Sequence, residues 1–532
     1  MIRPEDANPN VAARLAERAG LHPERTAIVE YAGGKRRQVS FGGLAERVAA
    51  LSGGMREAGI GPGDRVLLFV PMSIDLYVAL LATLHAGGTA VFLDAWAGRE
   101  RLDAAVAAAR PEAFVGSPRA HLLRLLSPAV RSIPVKWLAG RRWPRLARHE
   151  RPDATALAAL VSPDAPALVT FTTGSTGRPK GAARSHGFLW AQHRALAAHL
   201  RLTEKDVDMP TLPVFVLNNL AAGTASVIPD FDPRHPAEID PEAIFAQVLA
   251  EGVTTSSGSP AFYQRLAGWC AAHGRKLPLR AVFTGGAPVY PPLARLLADT
   301  VEGEAHVVYG STEAEPVAGI EARAMLEAME RGGEGICVGA PVPEVELRIL
   351  RPHDGPVELG PRGWAEWDAA PGETGEVAVT GDHVLAGYLD DPSADRENKV
   401  RDGGRVWHRT GDAARLDAEG RLWLMGRVSQ RVERGGATGW STPAEVRALG
   451  APGVRHAAYL GLPDPDLGQR AVLCVETEGG RLDDDTRAAI LERLRPIPVD
   501  ELRALPRIPR DPRHASKTDT AALRRKLREE DG

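Results

Sequence analysis

The sequence predicts an α/β protein with a large N-terminal domain, parallel-rich sheets covered by helices, a small β-rich subdomain and a short α+β unit at the end. Three observations predict it. Short apolar runs alternate with helical segments from Thr26 to Thr300, the pattern of strands joined by crossover helices. Beyond Gly335 strand-like runs separated by glycine-rich turns replace that alternation. A polar, glycine-rich joint, Gly426 to Gly439, then leads into one more αβ unit, so a boundary is expected near Arg427 to Gln430, giving domains 1–428 and 429–532.

Each element has a local reason. Leu44, Val48, Leu51 and Met55 recur at helical spacing until Gly59-Ile60-Gly61-Pro62-Gly63 stops the helix. Arg65 to Val70 reads as a buried strand, Ile74 to His85 as a helix and Thr89 to Leu93 as the next strand. Pro241 to Glu251 and Pro260 to His273 read as helices, Arg280 to Thr284 as a strand, Pro291 to Thr300 as a helix, and His306 to Tyr309 closes the series. The β-rich part holds Val345 to Leu350, Gly375 to Thr380, Arg405 to His408 and Arg421 to Met425. The final unit holds Thr442 to Leu449, Ala457 to Gly461, Ala471 to Glu476 and Thr486 to Leu494.

Bulk properties narrow the function classes. A net charge of -3 over 532 residues gives no field for a nucleic-acid partner. The cationic cluster Arg524, Arg525, Lys526, Arg528 is followed at once by Glu529, Glu530 and Asp531, as at a solvated helix end. Cys270, Cys337 and Cys474 are far apart and lack metal spacing, which fits a reduced compartment without a zinc site. Leu76 to Ala90 is the longest apolar run, and His85 and two glycines break it, so no membrane span is expected. The N-terminus has no signal-peptide pattern. A soluble, cytoplasmic protein is the expectation.

The chemistry centres on Leu168-Val169-Thr170-Phe171-Thr172-Thr173-Gly174-Ser175-Thr176-Gly177-Arg178-Pro179-Lys180-Gly181. An apolar strand ends in glycines and hydroxyls and the run closes on a lysine, which suits a phosphate cradle. A Gly/Ser/Thr-rich linker is the plain alternative. The Walker pattern is not met: Pro179 stands where its second glycine belongs, and Gly181 where its magnesium-binding hydroxyl belongs. The next helix cap is Ser185, ahead of His186 to Leu200, so a magnesium ligand must come from elsewhere.

Tyr309-Gly310-Ser311-Thr312-Glu313 ends a strand, where open α/β sheets bind ligands, and Glu313 is placed to supply that ligand or simply to cap Ser311. Gly285-Gly286-Ala287-Pro288 offers small residues to a flat ring, or is a plain turn. Asp412, in Arg409-Thr410-Gly411-Asp412, has a carboxylate suited to paired ribose hydroxyls. Lys517, in Asp511-Pro512-Arg513-His514-Ala515-Ser516-Lys517-Thr518-Asp519, reads alone as an exposed loop lysine.

Taken together and in order, these strings resemble the adenylate-forming superfamily of acyl-CoA synthetases, luciferases and peptide-synthetase adenylation domains. The markers are Thr172–Gly181, Tyr309–Glu313, Gly375-Glu376 through Gly387-Tyr388, Thr410-Gly411-Asp412, Gly426-Arg427 and Lys517. The resemblance implies activation of a carboxylate with ATP and Mg²⁺, and a mobile C-terminal domain. By position, it implies that Lys180 and the loop hydroxyls hold the β,γ-phosphates and that Glu313 holds Mg²⁺. Asp412 takes the ribose hydroxyls with Arg427 beside it. Gly285 to Pro288 lie along the adenine, with Tyr309 stacked on it, and Lys517 swings in to the carboxylate and α-phosphate.

Three departures point to a narrower group. Ser429 stands two places after Arg427, where Asp or Lys is usual. Arg431-Val432-Glu433-Arg434-Gly435-Gly436 replaces a lysine-rich coupling loop. The usual pocket-motif histidine is missing from Leu212-Pro213-Val214-Phe215-Val216-Leu217, where Phe215 stands. With Pro229 to Ala237 and Pro512 to Lys517, these resemble the β-lactone synthetases of bacterial olefin and β-lactone pathways. That resemblance implies a 3-hydroxy, 2-alkylated fatty acid as substrate, its own hydroxyl displacing AMP, and other enzymes of such a pathway as partners. A long-chain acyl-CoA or acyl-AMP ligase and a non-catalytic acyl- or nucleotide-binding paralogue are the rivals. Phe215 to Ala222 and Ser256 to Phe262 are expected to line the acyl pocket, and His186 and His193 to serve as cap or core residues.

Overall fold

The computed structural model describes residues 8–93, 99–139, 157–173, 179–511 and 517–531. Two mixed sheets form the bulk of the N-terminal part. One orders its strands Val135–Leu138, Ala113–Gly116, Arg65–Phe69, Thr89–Phe92, Pro166–Thr173 and Pro179–Ser185, parallel throughout except for the last pair. The other is eight-stranded, with a parallel centre of Glu304–Ser311, Ala281–Gly285, Thr255–Gly258, Val207–Pro210, Ala225–Ile228 and Thr26–Ala32. Its edges are antiparallel, formed by Ala314–Glu321 and Lys35–Ser40. The expected parallel character therefore holds in the sheet centres, and hairpins close the edges.

Helix Ile74–His85 is buried along its whole length and packs against strands of both sheets. That is why its sequence is apolar on every face rather than on one stripe. Ser73 caps it, accepting from the Leu76 N–H, and the Ile74 N–H donates to Glu30 Oε2 at 2.6 Å. Met55, Leu51, Leu44 and Val48 all point from helix Phe41–Glu57 into the same core.

The β-rich part is an antiparallel sheet ordered Ile336–Gly339, Leu422–Arg427, Arg405–Leu416, Gly375–Thr380 and Glu346–Leu350, with Lys399–Asp402 paired to Arg405–Leu416. The final unit has its own sheet of Val454–Asp464, Gly468–Thr477 and Glu501–Leu505.

The joint is more ordered than its composition suggested. A 3₁₀ turn, Val428–Gln430, leads into a hairpin of Val432–Arg434 with Ala437–Gly439, turned by Gly435 at φ +56° and Gly436 at φ +82°. Core membership changes across it. Val428 packs with Ala413 and Met425, whereas Val432 packs with Ala444, Tyr459 and Leu473 of the last unit.

Candidate active site

Lys180 stands on a strand, not at a helix start. Pro166–Thr173 and Pro179–Ser185 pair with Thr172 opposite Lys180 and Thr173 opposite Pro179. Helix His186–Leu200 begins one strand later, with Ser185 Oγ accepting from the Phe188 N–H at 3.1 Å. Gly174, Ser175, Thr176 and Gly177, together with the side chains of Thr172 and Thr173, lie outside the described residues. The Lys180 side chain is buried; its Nζ lies 3.5 Å from Glu397 Oε2 and 5.7 Å from the centroid of the Tyr388 ring.

Tyr388 also reaches Glu313. Its hydroxyl donates to Glu313 Oε1 at 3.0 Å, so Lys180 and Glu313 meet on one aromatic side chain. The segment Val384 to Leu389 straps the two loops together. The Leu385 N–H donates to the Glu313 carbonyl at 2.7 Å, and the Leu389 N–H to the Gly181 carbonyl at 2.7 Å. Ala182 bridges Tyr388, and Ala314 bridges Val384. Glu313 itself sits on the turn after Glu304–Ser311, its N–H donating to Ser311 Oγ at 3.2 Å; Thr312 lies in the same turn. Burial, and then the Glu313 charge, raise the Tyr388 phenol, which stays neutral and donates. Lys399, buried behind the strap, donates from Nζ to the Leu385 carbonyl and lies 5.2 Å from the Tyr388 ring; burial lowers it to about 7.

A second cluster gathers Tyr309 and Arg427, near the ends of their strands, and Asp412, which lies within the strand Arg405–Leu416 rather than after a shorter one. The Tyr309 hydroxyl donates to Asp412 Oδ2 at 2.9 Å, and Arg427 Nη1 donates to Asp412 Oδ1 at 2.8 Å and to the Thr410 carbonyl at 3.0 Å. Strand pairing sets Asp412 opposite Arg427. Behind them buried Arg409 donates twice to Glu376 Oε2, at 2.9 and 2.6 Å, and the Gly411 N–H donates to Glu376 Oε1 at 3.1 Å. Gly411 has φ +72°, and a Cβ there would stand 2.8 Å from Arg427 Nη2. Only glycine fits that corner.

Gly285 ends strand Ala281–Gly285, beside the strand that carries Tyr309, and a Cβ on it would lie 2.4 Å from the Val308 carbonyl oxygen. Gly286 follows at φ +79°, then Ala287 and Pro288. Just before them the Thr284 hydroxyl is buried without a partner. Closely approached backbone, an unpaired donor and a carboxylate beside a guanidinium suit a nucleoside; Lys180 and Glu313 suit its phosphates and a divalent cation. Among the described residues no group of three or more His, Cys, Asp or Glu could hold a metal ion, so a cation here would share Glu313 with phosphate oxygens.

Lys517 lies in the last unit. Its carbonyl accepts from the Asp511 N–H at 2.8 Å, and its neighbour Thr518 bridges Arg510 and lies 3.0 Å from His456 Nε2. Pro512 to Ser516 fall outside the described residues. Ser429 is exposed in the 3₁₀ turn. Arg431 makes a bidentate pair with Asp354, at 3.0 and 2.8 Å, fastening the joint to the β-rich sheet.

Within Phe215 to Ala222, the span expected to line an acyl pocket, Leu217, Asn218, Leu220 and Ala221 border an apolar cleft with Val214, Leu15, Leu189 and His193. Phe215 instead packs on Leu196, Leu200, Phe283 and Val308. Ser256 to Phe262 belong mainly to the core. Ser256 Oγ donates to the Met209 carbonyl at 2.7 Å, and the room left by Gly258 is filled, its Cβ position being 2.4 Å from Thr211 Oγ1. Small residues therefore do not mark open space when a neighbouring strand approaches this closely. Both histidines have partners distant in the chain: His186 Nδ1 accepts from the Val11 N–H at 3.2 Å while its Nε2 is buried without one among the described residues, and His193 Nδ1 lies 2.8 Å from Asn218 Oδ1. Burial lowers both, His186 to about 4.

Sequence reasoning missed Glu397 and Lys399 and gave Tyr388 no role beyond its place in a motif. Gly387-Tyr388 was the one available signal.

The family model "AMP-binding enzyme" matches residues 15–389. An olefin beta-lactone synthetase from Stenotrophomonas maltophilia is 34% identical, with 96% of each chain covered. One from Xanthomonas campestris pv. campestris is also 34% identical, over 88% of this chain and 87% of its own. The crystal structure of ATP-bound MatB from Rhodopseudomonas palustris shares the fold, with TM-score 0.80 at 23% identity, over 98% of this chain and 99% of that one.

Proposed function

This chain belongs to the AMP-binding enzyme family, as an adenylate-forming, acid-activating ligase, and on that premise we propose that it is an ATP-dependent β-lactone synthetase. In this reading it adenylates a 3-hydroxy, 2-alkylated fatty acid and closes it to a β-lactone, releasing pyrophosphate and AMP. The observation that carries the nucleotide chemistry is the meeting of Lys180 and Glu313 on Tyr388. The lactone outcome is supported by likeness, along nearly the whole chain, to olefin beta-lactone synthetases. It is supported also by the unusual joint at Ser429 and Arg431 to Gly436.

The residues have distinct tasks. Lys180 and the Thr172 to Gly177 loop take the β,γ-phosphates. Asp412 takes the ribose hydroxyls, its carboxylate oriented by Arg427 and Tyr309. Gly285 to Pro288 and Tyr309 flank the base, with Gly310 and Ser311 completing the turn. Glu313 would hold Mg²⁺, which when bound neutralises charge on the phosphates. A carboxylate oxygen of the acid attacks the α-phosphorus and pyrophosphate leaves. Lys517, delivered by the domain that we place at 429–532, sits against the developing charge. Cations aimed at such charge are worth about 10²–10³ in rate each.

In the second step the substrate's 3-hydroxyl oxygen attacks the acyl carbon, the bond from that carbon to the phosphate oxygen breaks, and AMP departs with the bonding electrons while the hydroxyl proton is released to the departing phosphate. No second substrate is needed, because a hydroxyl held beside the mixed anhydride has an effective molarity of up to about 10⁵–10⁸ M. The protein's part is to hold that geometry and exclude water. Among the described residues no helix is long and apolar enough to cross a membrane. We place the enzyme in the cytoplasm, handing its product to other enzymes of an olefin or β-lactone pathway.

The test is product analysis by mass spectrometry after incubation with ATP and a 3-hydroxy acid, with and without coenzyme A. A β-lactone formed equally in both supports the reading; a coenzyme A thioester as the main product refutes it.

A further inference from the structure

Lys399 is a buried lysine to which the reaction above gives no task. It stands opposite His408 where Lys399–Asp402 pairs with Arg405–Leu416, and its side chain runs to the Val384 to Leu389 strap. Two contacts hold it there. Nζ donates to the Leu385 carbonyl and lies 5.2 Å from the Tyr388 ring centroid. Each contact continues to Glu313. The Leu385 N–H donates to the Glu313 carbonyl at 2.7 Å, and the Tyr388 hydroxyl donates to Glu313 Oε1 at 3.0 Å. One lysine thus grips, at one remove, both the backbone and the carboxylate of Glu313.

Burying an ammonium group is unfavourable unless its contacts repay the lost hydration, and an apolar side chain fills the same space without that cost. The two direct contacts here lead to Glu313, through its carbonyl and its carboxylate, while Asp395 holds the other side of Tyr388 by accepting from its N–H at 2.8 Å. Lys180 lies on the same ring, 5.7 Å from its centroid, so two lysine side chains pack on Tyr388 while its hydroxyl holds the Glu313 carboxylate.

We propose that Lys399 is a positioning residue for Glu313, fixing Tyr388 and the strap so that the carboxylate meets a divalent cation in one orientation. The inference rests on the reading of Glu313 as the metal carboxylate. Lys399 touches neither substrate nor metal; it acts through Tyr388 and Leu385. Partners that orient a metal ligand typically contribute about ten- to a hundredfold in metal affinity.

The experiment uses the full chain and Mn²⁺ as probe, with binding read by electron paramagnetic resonance in the presence of ATP and the absence of acid. Lys399→Met is expected to weaken Mn²⁺ binding by about ten- to a hundredfold, with the KM for the hydroxy acid at saturating metal near that of the parent. Lys399→Arg should recover most of the loss. Tyr388→Phe, which keeps the ring and removes only the hydroxyl, should weaken Mn²⁺ binding comparably and keeps the test open if Lys399→Met does not fold. Unchanged Mn²⁺ affinity in a folded Lys399→Met protein overturns the proposal. So does an equal loss for metal, ATP and acid with a lowered thermal midpoint that Lys399→Arg does not restore. Glu313→Gln separates the two layers. If it leaves Mn²⁺ affinity unchanged, the metal reading of Glu313 falls; if it alone weakens binding, only the role of Lys399 falls.

Discussion

The Tyr309 hydroxyl donates to Asp412 Oδ2 at 2.9 Å, tying a strand end of the eight-stranded sheet to a strand of the β-rich sheet. The bond leaves Asp412 with one oxygen on Tyr309 and the other on Arg427, so its orientation is fixed from both sides. Tyr309→Phe removes one restraint and should raise the KM for ATP by about three- to tenfold, the worth of one hydrogen bond. Asp412→Asn, which removes the charge, should raise it by about ten- to a hundredfold. Steady-state kinetics with ATP varied at saturating acid measures both, and the KM for acid should move little.

Lys180→Ala should lower kcat/KM by about 10²–10³ while leaving the fold intact. Lys180 is buried against Tyr388 and Glu397, so the variant leaves a small gap rather than an exposed core. ATP–pyrophosphate exchange reads the chemical effect, and thermal unfolding checks that the midpoint shifts by only a few degrees.

Glu445 carries the pH prediction. Its Oε2 accepts from the Tyr290 hydroxyl at 2.6 Å and its Oε1 from the Tyr459 N–H at 3.3 Å, joining the last unit to the residue that precedes helix Pro291–Thr300. Burial raises this carboxyl from 4.5 to about 7. The folded chain therefore keeps a proton that the unfolded chain releases. The contribution is fully present below about pH 4.5 and is lost as pH rises to about 7, a change on the order of 3 kcal/mol. Glu445→Gln does not titrate, so the stability difference between the two proteins should change by that amount across the window. Urea unfolding at several pH values measures it.

Arg431→Ala breaks the bidentate pair with Asp354. Because Asp354 is largely exposed, global stability should fall by no more than about 1 kcal/mol. Amide exchange over residues 428 to 436 should nonetheless quicken, since this pair fastens the joint.

The sequence made some of this legible for identifiable reasons. Ile74 to His85, Pro241 to Glu251 and Pro291 to Thr300 have the limits expected, because Ser73 caps the first and proline opens the other two. Helix Pro213–Ala222 has no clean apolar period, so its sequence marks no helix limits. Lys35–Ser40 has Val39 as its single apolar residue and pairs as an edge strand, which no alternation of apolar residues announces. At the site, the strings holding Lys180, Glu313 and Asp412 could each be found, but their grouping could not. Glu313 and Lys180 are joined by Tyr388, and Lys399 stands in a short strand with no local pattern around it. Such long-range contacts leave little trace in local spacing.

The central claim is that the substrate's own hydroxyl captures the adenylate, and a single-turnover comparison of two acids tests it most directly. With ATP and no coenzyme A, a 2-alkyl-3-hydroxy acid should release AMP and β-lactone in equal amounts. The matched acid lacking the 3-hydroxyl should release pyrophosphate but stop at the bound acyl-adenylate. Equal AMP release from both acids, or AMP release that waits for coenzyme A, would contradict the account.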